Sequence, residues 1–275
     1  MNEPIQGKVV RLGLVSLNQK WLDKTFNLGQ CDHFSKIAKG NSCDLAIFPE
    51  MTLTGYSMDT QTVSEDRNNS PSLKSFAEIS GRNEISLIYG ATLSSNATEH
   101  YNVLCMSRPT GESDVICEKT HPFSFANEDQ YYDKGESLGA FEVAGIRFGS
   151  AICYDLRFPE IFSVMAKSID AFVVIANWPN NRIDHWFALL QARAIENQCF
   201  MVGVNRIGVD GNGVEYEESS AVFTPDGIRM SPSASSEVVD IYDIERDEVK
   251  AHRDDFPTIK DKRYALYWRL YEGRQ

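Results

Sequence analysis

The stretch Ile146-Arg-Phe-Gly-Ser-Ala-Ile-Cys153-Tyr-Asp155, continuing Leu-Arg-Phe-Pro159-Glu160, decides how this chain is read. A short run of small and apolar residues stops at Cys153, and Pro159 stands where a following helix takes proline in its first turn. The pattern predicts a strand-to-helix corner with a thiol at its tip. Open α/β sheets place their ligands at the carboxyl ends of strands, and the leading N–H groups of a helix can hold an anion there. A nucleophile and the donors for an oxyanion therefore fit into one turn. A free cysteine is more often a small buried hydrophobe, so Cys153 needs a base and a cation beside it before it reads as reactive.

The chain of 275 residues is 42% hydrophobic, enough for a sizeable core, and its formal net charge is −12. Such a charge sets nucleic acid and anionic membrane surfaces aside as partners, because both reward clustered Lys and Arg. Residues 1–7 are mostly polar, and 9–17 are interrupted by Arg11 and Gly13. No secretion signal or spanning segment is expected, and the expected compartment is cytoplasmic. The cysteines at 31, 43, 105, 117, 153 and 199 form no C-x-x-C and have no metal-ligand spacing with histidine. They read as reduced thiols, with metal: none.

Working outward from Cys153, the chain alternates strand and helix patterns. Strands are expected over 9–17, 44–48, 86–93, 101–107, 113–119, 141–143, 146–152, 171–176 and 200–205. Helices are expected over 27–39, stopped by Gly40, over 73–82, over 158–167, and over 184–198 with Asp184 as N-cap. Strand 44–48 runs into Pro49-Glu50, with Thr54-Gly55-Tyr56 as a turn behind it, and strand 113–119 ends on Lys119. Residues 124–137 have turn chemistry without a period and read as an ordered loop walling a pocket. The loop 208–213 is glycine-rich but lacks dinucleotide spacing. Closing strands over 219–223 and 237–241 flank the Pro225-Asp226-Gly227 turn, 231–236 is a short Ser-rich loop, and 243–252 is a final helix. The tail 253–275, with Tyr264, Trp268 and Tyr271, is too aromatic to be a disordered end and should dock on the domain or on a partner subunit. The class is α/β, with two sheets because so many strands are joined by short turns.

Glu50, Lys119 and Cys153 each sit at the carboxyl end of an expected core strand. The motifs Phe48-Pro49-Glu50 with Thr54-Gly55-Tyr56, Lys119-Thr-His121 and Cys153-Tyr-Asp-Leu-Arg-Phe-Pro-Glu160, in that order, resemble the nitrilase, or carbon-nitrogen hydrolase, superfamily over nearly the whole chain. The resemblance implies a four-layer αββα sandwich, a single carbon-nitrogen hydrolase domain over 1–275, and a Glu-Lys-Cys triad that hydrolyses non-peptide C–N bonds through a thioester. It makes Glu50 the general base, Lys119 the oxyanion stabiliser and Cys153 the nucleophile, with Glu128 matching a second family glutamate. It calls for no cofactor, and with the aromatic tail it suggests a homodimer or higher homo-oligomer. Lys119 is also expected to lower the Cys153 pKa.

The runs 176–186, 191–198 and 205–213 look like the omega-amidase branch, which deamidates substrates of the 2-oxoglutaramate or succinamate type. Arg182 would then clamp a substrate carboxylate, with Tyr154, Trp178 and Asn177 as pocket walls. Arg193 and Glu196 read as a pair bracing the long helix. The rivals are a hydrolase of another aliphatic amide, an N-carbamoyl amine or a nitrile, a catalytically silent binding homologue, and a thiol redox sensor.

Overall fold

The computed structural model describes residues 9–273; the polar opening at 1–8 and the tail residues 274 and 275 lie outside them. In chain order the strands are β1 (Val9–Val15), β2 (Leu45–Ile47), β3 (Glu65–Asp66), β4 (Ser86–Ser94), β5 (His100–Ser107), β6 (Ser113–Glu118), β7 (Ala140–Val143), β8 (Ile146–Ile152), β9 (Ala171–Ala176), β10 (Phe200–Asn205), β11 (Gly208–Val209), β12 (Glu215–Tyr216), β13 (Ala221–Phe223), β14 (Ala234–Ser236) and β15 (Val239–Glu245). The helices are α1 (Lys24–Gly40), α2 (Thr60–Val63), α3 (Pro71–Asn83), α4 (Pro159–Met165), α5 (Ile183–Asn197), α6 (Arg246–Asp255) and α7 (Tyr264–Tyr271). One sheet runs β14-β15-β1-β2-β4-β5-β6 with β3 beside β4, and a second runs β13-β10-β9-β8-β7.

Burial on both faces of each sheet explains the continuous apolar strands. In β9, Ala171, Val173 and Ile175 join an inter-sheet core with Leu12, Leu14 and Ile47 of the first sheet. The alternate residues Phe172, Val174 and Ala176 face Trp186 and Leu190 of α5. On the far side, Phe34 of α1 and Phe76 of α3 pack on Leu87 and Tyr89 of β4. The order is therefore helix, sheet, sheet, helix. Each fully buried Val, Ile or Leu contributes roughly 1.5–3 kcal/mol. Local signals agree: the Asp23 and Ser70 side chains cap α1 and α3, and Pro71 and Pro159 open their helices.

Several expectations are corrected. Asp184 lies in the first turn of α5 and Arg182 is the N-cap, because the 3-10 turn Asn180–Arg182 runs straight into the helix. The two closing strands are present as β13, which pairs with β10 in one sheet, and β15, which lies antiparallel to β1 in the other. Part of the Ser-rich loop is β14, a third strand beside β15. Residues 243–245 extend β15 instead of starting a helix, since Ile244 faces the inter-sheet core. The expected final helix is followed by α7, so the aromatic tail is itself largely helical. The tail lies on α4, where Tyr264 Oη donates to Ser163 O at 3.0 Å, while Trp268 and Tyr271 remain exposed. Among the described residues no helix is long and apolar enough to cross a membrane.

Candidate active site

Strands β1, β2 and β4 are parallel, and two antiparallel steps return β6 to the same direction; in the second sheet β8, β9 and β10 are parallel. Their carboxyl ends deliver Gln19 after β1, Glu50 after β2, Lys119 after β6, Cys153 after β8 and Asn177 after β9. Hydrogen bonds from Asn177 to Glu50 tie the two sets of strand ends together. The site thus stands on the seam between the sheets. The supporting strands are not neighbours: β4 and β5 separate β2 from β6, and β8 lies in the other sheet.

Glu50 is completely buried in a tight turn whose next residue, Met51, is left-handed with φ 45°. A Cβ on Gly90 would stand 2.3 Å from Met51 N, so only glycine lets β4 pass beneath this turn. Glu50 Oε1 accepts from Lys119 Nζ at 2.8 Å and Asn102 Nδ2 at 2.7 Å, and Oε2 accepts from Asn177 N at 2.9 Å. The Glu50 carbonyl accepts from Gln19 Nε2 at 2.9 Å and Asn177 Nδ2 at 2.8 Å. Three amide side chains thus turn their N–H ends to Glu50. Among the described residues, their oxygens, Gln19 Oε1, Asn102 Oδ1 and Asn177 Oδ1, accept no hydrogen bond.

Lys119, also buried, donates to Glu128 Oε2 at 2.8 Å and Oε1 at 3.0 Å as well as to Glu50. Burial alone would depress the lysine pKa, but the charges of Glu128 and Glu50 outweigh it and raise it well above its ordinary value. Burial likewise opposes the Glu128 charge, yet Lys119 and a short bond from Phe123 N at 2.6 Å hold its pKa low. Tyr56 Oη donates to Glu128 Oε2 at 2.9 Å. The three charged groups are thus two carboxylates around one ammonium.

Cys153 opens the 3-10 turn Cys153–Arg157 and is left-handed, with φ 48°, a strained geometry for a non-glycine residue. The bend throws Sγ out of the sheet, half-buried, within 4.0 Å of Asn177 O. Lys119 does pull the thiol pKa down, but burial first and Glu50 second push it well above the ordinary value. The pull expected of Lys119 is therefore present, and burial and Glu50 together outweigh it. Asp155 fixes the turn. Its buried carboxylate accepts from Ile152 N at 3.1 Å, from His121 N at 2.9 Å and from His121 Nδ1 at 2.8 Å. It clasps the segment after Lys119 to the corner carrying Cys153. Arg193 reaches past Glu196 to donate to Leu156 O, so it braces this turn as well as its own helix.

A cavity of about 340 Å³ opens over the sulfur. Lys119, Cys153, Tyr154, Asn177, Trp178 and Arg182 all line it. The Arg182 guanidinium lies 5.5 Å from the Phe123 ring centre and 5.3 Å from that of Phe125, in the loop expected to wall a pocket. All eight site residues singled out in the sequence thus meet at one place, Glu50 and Glu128 beneath Lys119 and the others on the cavity wall.

Sequence reasoning missed Asn102, Tyr56, the Asp155–His121 clasp, Arg157, and the β11–β12 hairpin that brings Asp210 and Tyr216 to the cavity. An asparagine inside the apolar run of β5 was a usable signal for the first. The others depend on contacts between the two sheets and their loops.

The family model described as carbon-nitrogen hydrolase matches residues 11–254. The omega-amidase YafV of Escherichia coli (strain K12) is 30% identical over 250 residues, covering 90% of this chain and 94% of that protein. The 2-oxoglutaramate amidase of Bacillus subtilis (strain 168) is 28% identical, covering 82% of this chain and 86% of that one. The crystal structure of XC1258 from Xanthomonas campestris, a CN-hydrolase superfamily protein with an arsenic adduct in its active site, superposes with a TM-score of 0.85 at 31% identity, over 92% of this chain and 97% of that one. With its sandwich, its seam of acid, ammonium and thiol, and these likenesses, the chain belongs to the carbon-nitrogen hydrolase family.

Proposed function

We propose that the protein is an omega-amidase, hydrolysing the terminal amide of a small omega-amido acid of the 2-oxoglutaramate or succinamate type to the acid and ammonia. The observation that carries this reading is a half-buried thiol at a cavity wall, beside a caged carboxylate and a buried ammonium. Relatives bearing the names omega-amidase and 2-oxoglutaramate amidase support the substrate class.

Glu50 takes the Cys153 proton, and the thiolate attacks the amide carbon. The carbonyl oxygen gathers charge facing Lys119 and the N–H of Tyr154, one of the leading N–H groups of a turn that supplies them no acceptor. Glu50 returns its proton to the nitrogen, ammonia leaves, and an acyl thioester remains. Water then gives its proton to Glu50 as it attacks the thioester carbon, and the sulfur departs as the thiol. Glu128 positions Lys119. Arg182 binds the far carboxylate between Phe123 and Phe125, while Trp178 and Asn177 shape the wall.

Residues 1–275 act as one domain in this reading. The exposed α7 face with Trp268 and Tyr271 supports a homodimer, and six unpaired cysteines fit a cytoplasmic setting.

The test is ammonia release from 2-oxoglutaramate, succinamate, butyramide and butyronitrile, with intact mass spectrometry of the quenched enzyme. The two omega-amido acids should be turned over fastest, through an acyl adduct that is absent from Cys153→Ala. No ammonia from either of them would defeat the proposal.

A further inference from the structure

Cys153 stands in a backbone form that a cysteine does not adopt unaided. Its φ of 48° belongs to the left-handed region, and a non-glycine residue stays there only when its surroundings over-determine it. Asp155 grips the entrance of the corner, through Ile152 N and His121 N. The exit is gripped by Arg193 of α5, whose Nη2 and Nε both donate to Leu156 O, at 2.9 and 3.2 Å, in the same 3-10 turn as Cys153. The remaining nitrogen, Nη1, donates to Glu196 Oε1 at 3.0 Å.

Those two attachments are not equal. The Glu196 carboxylate is 39% exposed, and an ion pair screened by water is worth little, whereas the bond to Leu156 O is buried. A water-screened pair gives no reason to bury a guanidinium 5.6 Å from the Phe162 ring centre, and the carbonyl does. Were Cys153 to relax to the right-handed form, with φ about −60°, the chain beyond it would turn and carry Leu156 O off the guanidinium. We propose, resting on the part of the omega-amidase reading that makes Cys153 the nucleophile, that Arg193 is a positioning residue: by holding Leu156 O it keeps the corner in its strained form and the sulfur beside Glu50 and Lys119. Arg193 is not among the residues lining the cavity, so its loss leaves substrate binding alone.

The measurement is kcat and KM for ammonia release from succinamate, together with the pH dependence of iodoacetamide labelling at Cys153, on the wild type, Arg193→Lys, Arg193→Gln and Glu196→Gln, each first checked for folding by urea unfolding. The other five cysteines are buried, so peptide mapping reads the one site. Lysine keeps the charge and the reach but cannot set two N–H groups of a rigid fork on one oxygen, and it is the variant to read if glutamine does not fold. Both Arg193 variants should lose roughly tenfold or more in kcat with KM within about twofold, the size of a lost bond to a charged donor. Their labelling curves should move to lower pH, because a sulfur that leaves the corner escapes the burial and the Glu50 charge that raise its pKa. Glu196→Gln should keep the wild-type kcat and curve. Wild-type kcat or an unmoved curve in a folded Arg193 variant overturns the inference. So does a Glu196→Gln loss equal to theirs, which would assign the effect to the helix pair. If no omega-amido acid is turned over, the omega-amidase reading falls while the labelling curves still judge Arg193. Undiminished ammonia release by Cys153→Ala would bring down both.

Discussion

Replacing Lys119 with methionine tests the electrostatic logic of the site through stability instead of turnover. The lysine makes three contacts of 2.8, 2.8 and 3.0 Å with two carboxylates, and all three residues are buried. Without it, Glu50 and Glu128 face each other across the Asn102 amide, which bonds to both at 2.7 and 3.1 Å. Removing one partner of a buried ion pair costs roughly 3–5 kcal/mol. The loss should depend on pH, because two carboxylates so placed cannot both ionise and one keeps a proton. The folded variant then binds more protons than the unfolded chain, whose glutamates titrate near 4.3. Its stability must fall as pH rises, by about 1.4 kcal/mol for each pH unit over which the folded state alone stays protonated. In the wild type the Glu128 pKa is held low, so its contribution is complete above the unfolded value and lost only in more acidic solution. Urea unfolding followed by tryptophan fluorescence at pH 5.5 and pH 8 should show the full loss at the higher pH and a smaller one at the lower. An equal loss at both, or one under about 1 kcal/mol, would refute the reasoning that Lys119 is held by two ionised carboxylates.

Two further outcomes are expected. Glu50→Gln removes the charge that, after burial, pushes the Cys153 pKa up; its iodoacetamide labelling curve should shift to lower pH while kcat falls on the order of 100- to 10,000-fold, and a curve that stays put or moves upward would contradict this. Asp155→Asn cannot accept from both Ile152 and His121, so urea unfolding should show a loss of roughly 1.5–3 kcal/mol and kcat should drop more than KM changes; wild-type kcat at wild-type stability would count against the clasp.

The sequence exposed most of this because the chemistry sits where apolar periodicity ends. Strands β9 and β10 read off the page to the residue, since unbroken apolar runs bounded by polar residues have few other interpretations. Glu50, Lys119 and Cys153 stood out as chargeable or nucleophilic groups at such ends. What stayed hidden is set by long-range contact. Nothing local marks β13 and β15 for different sheets, or joins Asp155 to His121 across the seam. The Cys153 pKa could not be signed from spacing either, because burial and Glu50 oppose Lys119 and only geometry ranks them.

Because the base and the ammonium ride on one sheet and the sulfur on the other, the reactive trio does not exist until the sheets have met. A polypeptide leaving the ribosome carries an unremarkable thiol at position 153. Even the first sheet waits for β15, the strand that seats against β1 only when most of the chain has been made. The architecture is its own safety catch: a half-folded copy whose sheets have not met keeps the sulfur apart from the acid and the cation that would activate it.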